Sequence, residues 1–176
     1  MEYFRTYAED GAPGPLVPRS EVHKTGLWHK AVQVLVFNRH CEMLVQHRSA
    51  TKDLYAGLWD FSVGEHLLPD EEEAIGAIRG LFEELGVSGC EVTPLGEPLR
   101  IECRGQGYLD REIQQSFYTL CDGPFKLDED EVQATRFIGL AELSLWFEQR
   151  PEDFTPWFVE QWPGRRKHAE DLGLFG

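Results

Sequence analysis

The stretch that most constrains this chain runs from Gly64 to Val87, G-E-H-L-L-P-D-E-E-E-A-I-G-A-I-R-G-L-F-E-E-L-G-V. Its pattern predicts a loop turning into an amphipathic helix. Pro69 and Asp70 suit a helix start, and Glu71, Glu72 and Glu73 suit the positive end of the helix dipole. Ile75, Ile78, Leu81, Phe82 and Leu85 recur at helical spacing and predict a buried stripe. Gly86 stands where a left-handed C-terminal cap is expected. Positions 80, 83 and 84 are three and four residues apart, so they share the opposite face. Two of them, Glu83 and Glu84, are carboxylates, the ligand type that hard cations such as Mg²⁺ take alongside substrate phosphates. Gly80 is a gap in that set, where a Glu would add a ligand and a better helix former.

Composition bounds the partners. At 176 residues the chain is one domain by the length prior, and 41% apolar residues suffice for a core. A formal charge of −14 argues against a nucleic-acid surface, which needs clustered Lys and Arg. A small phosphorylated substrate stays open, because a metal and a few local bases offset the overall repulsion. Cys41, Cys90, Cys103 and Cys121 are widely spread with no C-x-x-C pair, and read as reduced thiols. No run approaches the ~18 apolar residues of a membrane span, and the N-terminus lacks a basic-then-apolar signal pattern. The expectation is a cytoplasmic protein that touches neither nucleic acid nor membrane, with a homodimer left open.

Along the chain, the β-branched run 31–37 predicts a central strand, with 43–46 returning as its partner. Residues 58–63 read as a third strand that delivers the chain to the helix. Further strands are expected at 92–99, 99–103, 112–121 and 134–139, with a turn at Gly105-Gln106-Gly107. Helices are expected over 141–149 and from Thr155-Pro156 onward. Residues 1–20 form an N-terminal extension, broken by Gly11-Ala12-Pro13-Gly14-Pro15 between two short extended pieces. Glu21 to Gly26 reads as a polar connection, and 164–176 as a frayed tail.

The central stretch resembles the signature of the Nudix hydrolases, G-x5-E-x7-R-E-U-x-E-E-x-G-U, where U is a bulky aliphatic residue. Counted back from Gly86, the chain supplies Glu71, Arg79, Leu81, Glu83, Glu84, Gly86 and Val87. It departs twice: Glu65 stands at the opening Gly, and Gly80 at the Glu after the Arg. The resemblance implies an α/β fold, a Nudix-type α/β/α sandwich with a mixed β-sheet, spanning 1–176 as a single domain. From about Val17 to Trp162 the chain is also similar to the branch containing the type I isopentenyl-diphosphate isomerases and their hydrolase relatives. Four matches carry this: V-H-K-T-G-L-W-H (22–29), Y-A-G-L-W-D-F-S-V-G-E-H (55–66), D-R-E (110–112) and F-T-P-W (154–157).

In that branch histidines and carboxylates hold a divalent metal, and the matching positions here are His23, His29, His66, Asp110 and Glu112. Nitrogen and oxygen ligands from distant segments suit Mn²⁺, Zn²⁺ or Mg²⁺. The resemblance also implies that Arg48, Lys52 and Arg111 face a diphosphate, simple solvation being the alternative, and that Trp157 lines the pocket; Trp59 reads instead as core packing. The isomerases' catalytic Cys falls on Gly64, which holds no acid for protonating an alkene. Cys90 and Cys103 lie elsewhere in the motif frame.

The implied function is a Mg²⁺- or Mn²⁺-dependent hydrolase cleaving a diphosphate linkage in a small phosphorylated metabolite or nucleotide. Glu83 and Glu84 are the expected metal ligands, Arg79 orients Glu83 across one turn, and Glu112 adds a ligand or serves as general base. Gly80 predicts reduced activity unless Glu65 or Glu112 completes the set. A catalytically silent Nudix domain that binds a phosphorylated ligand or a protein partner is the alternative. The isomerase is the lesser reading.

Overall fold

The computed structural model describes residues 2–52, 54–105 and 107–175; Gln106, in the expected turn, lies outside them. Its centre is β3 (Trp28–Phe37), the β-branched run of the sequence, extended by three residues toward the N-terminus. Along one edge β3 runs parallel to β9 (Tyr108–Leu120) through ten paired residues. Along the other it pairs antiparallel with β6 (Val63–His66). The sheet continues through β4 (Met43–Arg48) to β10 (Val132–Ile138), with the short β5 (Trp59–Asp60) beside β4. Beyond β9 lie β8 (Leu99–Gly105) and the two-residue β7 (Thr93–Pro94). The expected third strand is thus two pieces on different neighbours, and the 92–99 strand shrinks to β7.

Successive side chains of a strand point to opposite faces, and the core divides on that rule. Val32, Val34, Val36 and Leu44 face α2 (Glu73–Leu85), packing with its Ala77, Leu81 and Leu85. Leu35, Phe37, Met43 and Val45 face the other way, against α3 (Leu140–Gln149) and α4 (Pro156–Asp171). The result is a mixed sheet between helical layers, the α/β sandwich expected from the sequence.

The helix after the loop forms, but it starts at Glu73 rather than at Pro69-Asp70, where Asp70 sits in a turn at φ 62°; it stops at Gly86 as predicted, whose φ of 65° is the left-handed cap. Its buried stripe follows the prediction only at Leu81 and Leu85. Ile75, Ile78 and Phe82 are exposed by 54%, 38% and 61%, whereas Gly76, Ala77, Gly80, Leu81, Glu84 and Leu85 are buried. The glycines explain the rotation. A Cβ on Gly76 would lie 2.2 Å from Leu67 Cδ2, and one on Gly80 2.9 Å from Val63 Cγ1. Bare backbone lets the helix approach β6 and its loop closely, so the glycine-bearing face becomes the contact face.

The extension is a hairpin of β1 (Tyr3–Tyr7) and β2 (Pro13–Pro18), the two short extended pieces expected there. Two other expectations change. The polar connection after the hairpin is a helix, α1 (Arg19–Thr25). The expected frayed tail is ordered: α4 runs to Asp171, with Arg165, Ala169 and Phe175 buried. Phe175 meets Phe37 and Trp162 edge-on at 5.1 and 6.1 Å, which ties the end of the chain to the core.

The rotated stripe has a direct check. Leu81→Ala should cost about 2–5 kcal/mol in a denaturant titration, as deletion in a closed core does. Phe82→Ala should stay within about 0.5 kcal/mol, as an exposed substitution does. Equal losses at the two positions would restore the stripe predicted from spacing.

Candidate functional site

Register across β3 assembles the first group. His29 lies beside Glu112 on β9, and Ala31 beside His66 on β6. Asp110 and Glu112 take the same face of β9 by alternation, and α1 brings His23 to them. One ligand-type atom from each of His23, His29, His66 and Asp110 lies within 4.8 Å of every other. The three histidines and Asp110 therefore converge as the sequence predicts. Glu112 sits at the flank, its Oε1 3.2 Å from His66 Nε2. Phe4 of β1 closes the back, stacked on His29 at 5.0 Å, with its ring 4.7 Å from that of His66 and 5.9 Å from that of His23.

The protonation pattern of this group follows from its contacts. His29 Nδ1 lies 3.1 Å from the Leu27 carbonyl, which only accepts, so Nδ1 carries the proton and Nε2 presents its lone pair inward. Nε2 of His23, His29 and His66 is buried without a hydrogen-bond partner, and so is Asp110 Oδ1. Yet His23 and His29 Nε2 stand 3.6 and 3.5 Å from that oxygen. Burial lowers the pKa of His23 to about 4 and of His66 to about 3, and holds His29 well below its ordinary value. Burial also raises Asp110 to about 8, helped by the charge of Glu112. Three imidazole nitrogens and a carboxyl oxygen thus face one another without a hydrogen bond, an arrangement costing roughly 1–3 kcal/mol for each orphaned atom. A divalent cation satisfies all of them at once, and three nitrogens with one oxygen suit Mn²⁺ or Zn²⁺. The residues present fit such an ion.

The second group lies on α2. Arg79 donates to Glu71 through Nε and Nη2 at 3.0 and 2.9 Å, and to the His66 carbonyl at 2.8 Å. Its Nη1 holds Glu83 Oε2 at 3.0 Å, the expected contact across one turn, and Glu65 Oε2 at 3.2 Å. Glu83 is half exposed, in line with the sequence reading. Glu84 is not beside it on the surface: it is buried, accepting from Gln46 Nε2 at 3.0 Å and from the Gly64 N–H at 3.2 Å. Burial and the charge of Glu65 raise its pKa to about 8. Position 80 has no room for the carboxylate expected there. A Cβ would meet Val63 Cγ1 at 2.9 Å and Glu65 Cβ at 3.1 Å, so the face shared with Glu83 and Glu84 is already filled by Glu65.

Both groups open onto one cleft of about 790 Å³. Its lining includes His23, His66, Asp110 and Glu112, then Glu65, Arg79, Glu83 and Glu84, and across from these Arg48, Lys52 and Trp157. Arg48 is fixed by the Leu54 carbonyl at 2.9 Å and stacks over Trp157 at 5.2 Å. Trp157 donates to both oxygens of Asp60 at 2.8 Å, and Lys52 pairs with Glu131. Arg111 is a correction. It takes the strand face opposite Asp110 and Glu112, where it binds Glu102 at 2.6 Å and lies over Trp28. Trp59 packs with the core as expected.

Some neighbours of the cleft were given no role in the sequence reading. Cys103 pairs with Asp110 across the β8–β9 ladder, and burial with the charges of Asp110 and Glu112 pushes its thiol to about 12. Gln46 and Asp60 are polar side chains in otherwise apolar strands, a signal that marks them as buried hydrogen-bonding groups. Phe4 carries no such signal.

These shifts set a pH dependence for the metal-free protein. The histidines have ordinary pKa values of 6.5 and lowered ones when folded, so the unfolded chain binds more protons and stability falls as pH drops below 6.5. Glu84, Asp110, Glu112 and Glu65 move the other way, from 4.5 or 3.8 to about 7 or 8, so their stability contribution falls as pH rises between those values and outweighs the histidines above about 5. Metal-free melting temperature should therefore peak between 4.5 and 6.5. Saturating Mn²⁺ should raise it more at pH 8 than at pH 6, because ligation favours the unprotonated forms. A metal-free melting temperature that climbs steadily from pH 6 to 8 would contradict this electrostatic picture.

Comparison with known proteins agrees with the geometry. The NUDIX domain matches residues 27–158. An isopentenyl-diphosphate Delta-isomerase of Dinoroseobacter shibae is 38% identical over 153 residues, covering 84% of each chain. Among solved structures, a Deinococcus radiodurans protein superposes with a TM-score of 0.68 at 15% identity, covering 84% of this chain and 90% of that one. The MutT protein of Methanosarcina mazei gives 0.62 at 20% identity, covering 83% and 96%. Fold, motif helix and sequence relatives together make the chain a member of the Nudix family, similar to relatives named isopentenyl-diphosphate isomerases.

Proposed function

We propose that this protein is a metal-dependent Nudix hydrolase that cleaves a diphosphate linkage in a small phosphorylated molecule. The observation that carries the reading is Gly64. It lines the cleft with nothing within 4 Å of the direction a Cβ would take, and its N–H points at Glu84 Oε1. The position therefore offers open space and no acidic side chain of its own, where the resemblance puts the isomerases' catalytic Cys.

Each side chain then has a role set by its contacts. Arg48 and Lys52 bind the diphosphate oxygens, Arg48 pre-oriented by Leu54 and Trp157. Arg79, clamped by Glu71, holds Glu83 in place. Glu83 and Glu84 would hold one divalent cation, Mg²⁺ or Mn²⁺, and His23, His29, His66 and Asp110 would hold another. The chemistry a bound cation supplies is neutralisation of diphosphate charge and acidification of water. Glu112, raised to about 7 by burial, is poised to take a proton from water near neutral pH. Trp157, pinned by Asp60, walls the cleft.

One observation favours a second reading, the isomerase. The protonated Cys103 thiol stands beside Asp110 and Glu112, an acid near a base although not at position 64.

A ³¹P and ¹H NMR screen over nucleoside and prenyl diphosphates with Mg²⁺ or Mn²⁺ tests these readings together. Phosphate or monophosphate release abolished by EDTA is the expected result. Alkene migration with the diphosphate intact would replace the reading with the isomerase, and a ligand-induced melting shift without turnover with the silent binder. Glu83→Gln should lower hydrolysis about 10- to 100-fold without unfolding the protein, and Arg79→Ala should do likewise. Unchanged metal-dependent turnover in Glu83→Gln would remove α2 from the site.

A further inference from the structure

The four cysteines are widely spread along the chain, yet the fold sets two of them face to face. β7 pairs antiparallel with β9 through Thr93 with Tyr118 and Pro94 with Phe117, and the Leu95 N–H donates to the Ser116 carbonyl at 2.8 Å. Counted back along that register, position 90 lies opposite position 121. Pairs of an antiparallel ladder alternate between hydrogen-bonded and non-hydrogen-bonded. Leu95 with Ser116 is of the first kind, and Pro94, which has no N–H, makes a pair of the second. Cys90 with Cys121 therefore falls in the second kind, where side chains stand closest. Cα atoms of such pairs are about 4.5 Å apart, inside the range of about 4.4–6.8 Å that a disulfide spans.

Strand pairing stops at Thr93, but the two segments stay together beyond it. The Thr119 hydroxyl donates to the Glu91 carbonyl at 2.7 Å, and the Cys121 N–H donates to the Phe37 carbonyl at 2.8 Å. Both cysteines pack against the core on the α2 side of the sheet, and the Cys90 thiol makes side-chain contact with Cys121 and Thr119. Neither is fully buried, whereas Cys103 is buried beside Asp110 and Cys41 stands in the turn between β3 and β4. We propose that Cys90 and Cys121 are an oxidisable dithiol, a modification site that a small-molecule disulfide closes into an intramolecular cystine. One thiolate attacks the S–S bond of the reagent and expels a thiolate; the other then attacks the mixed disulfide and expels a second. Two protein thiols become one disulfide, and the reagent takes up two electrons and two protons and ends as two thiols. The bond ties the segment leaving α2, past Gly86 and Gly89, to the end of β9, and closes a loop that contains β7, β8 and β9. Neither cysteine lines the cleft, so the inference stands apart from the hydrolase reading.

The test is oxidation of the full chain with glutathione disulfide. It is run at alkaline pH, because burial and the neighbouring Cys121 raise the Cys90 thiol above its ordinary value. Trypsin leaves each cysteine on its own peptide, with Cys90 on 80–100 and Cys121 on 112–126. The expected product is a cross-link between those two peptides, in a chain lighter by two hydrogens, that a reducing agent splits again. The oxidised chain should melt roughly 5–10 °C above the reduced one. Cys90→Ser and Cys121→Ser should each lose both the cross-link and the shift. Thiols that stay unreacted, glutathione left on one cysteine of the pair while the other stays free, or a cross-link to Cys41 or Cys103 overturns the proposal. So does an oxidised chain that melts no higher than the reduced one.

Discussion

The pairing of β3 on both edges is the constraint on which the remaining architecture depends. Its even-numbered valines face α2, while Leu35 and Phe37 face α3 and α4, so both faces are apolar and neither tolerates the other's neighbours. A slip of one residue would turn every side chain over. Hydrophobic burial therefore locks the register, and the register places His29 beside Glu112 and Ala31 beside His66. The polar cleft inherits its geometry from apolar packing, which is why a set of ligands so distant in sequence converges without a loop tying them together.

Arg79 plays the corresponding part in the electrostatics. It joins the end of β6, through the His66 carbonyl, to the acidic loop at Glu71 and to the helix face at Glu83. Burial works against the charged forms around it, raising Glu65 to about 7 and Glu84 to about 8. The cleft thus holds more acid than its local bases compensate. In a chain with a net charge of −14 this concentration favours cations over nucleic-acid backbones.

Much of this was legible in the sequence, for identifiable reasons. The motif helix and its Gly86 stop were readable because capping and period are local signals. The face it buries was not, since counting apolar residues gives no weight to glycines that permit close approach; Ile75, Ile78 and Phe82 were misassigned on that account. The seven-residue α1 was missed because it is polar and has no side-chain N-cap. The start of the C-terminal helix was readable, but its part beyond 164 was taken for a tail because Arg165, a buried cation whose long stem packs inside, reads as surface. Convergence of His23, His29 and His66 was accessible only through family resemblance, because it depends on strand register. Arg111 was misplaced by one step of strand alternation.

The packing of Phe4 against all three imidazoles has a practical side. The wall behind the histidine group is made from the opening strand of the chain, held through the Thr6–His29 and Tyr7–Trp28 pairs and by Arg5 on Asp70. A fusion partner joined close to Tyr3, or an expression clone trimmed to the 27–158 span of the NUDIX match, alters or removes that wall. The trimmed clone loses His23 as well. Such preparations would report on a different metal environment from the one the full chain builds.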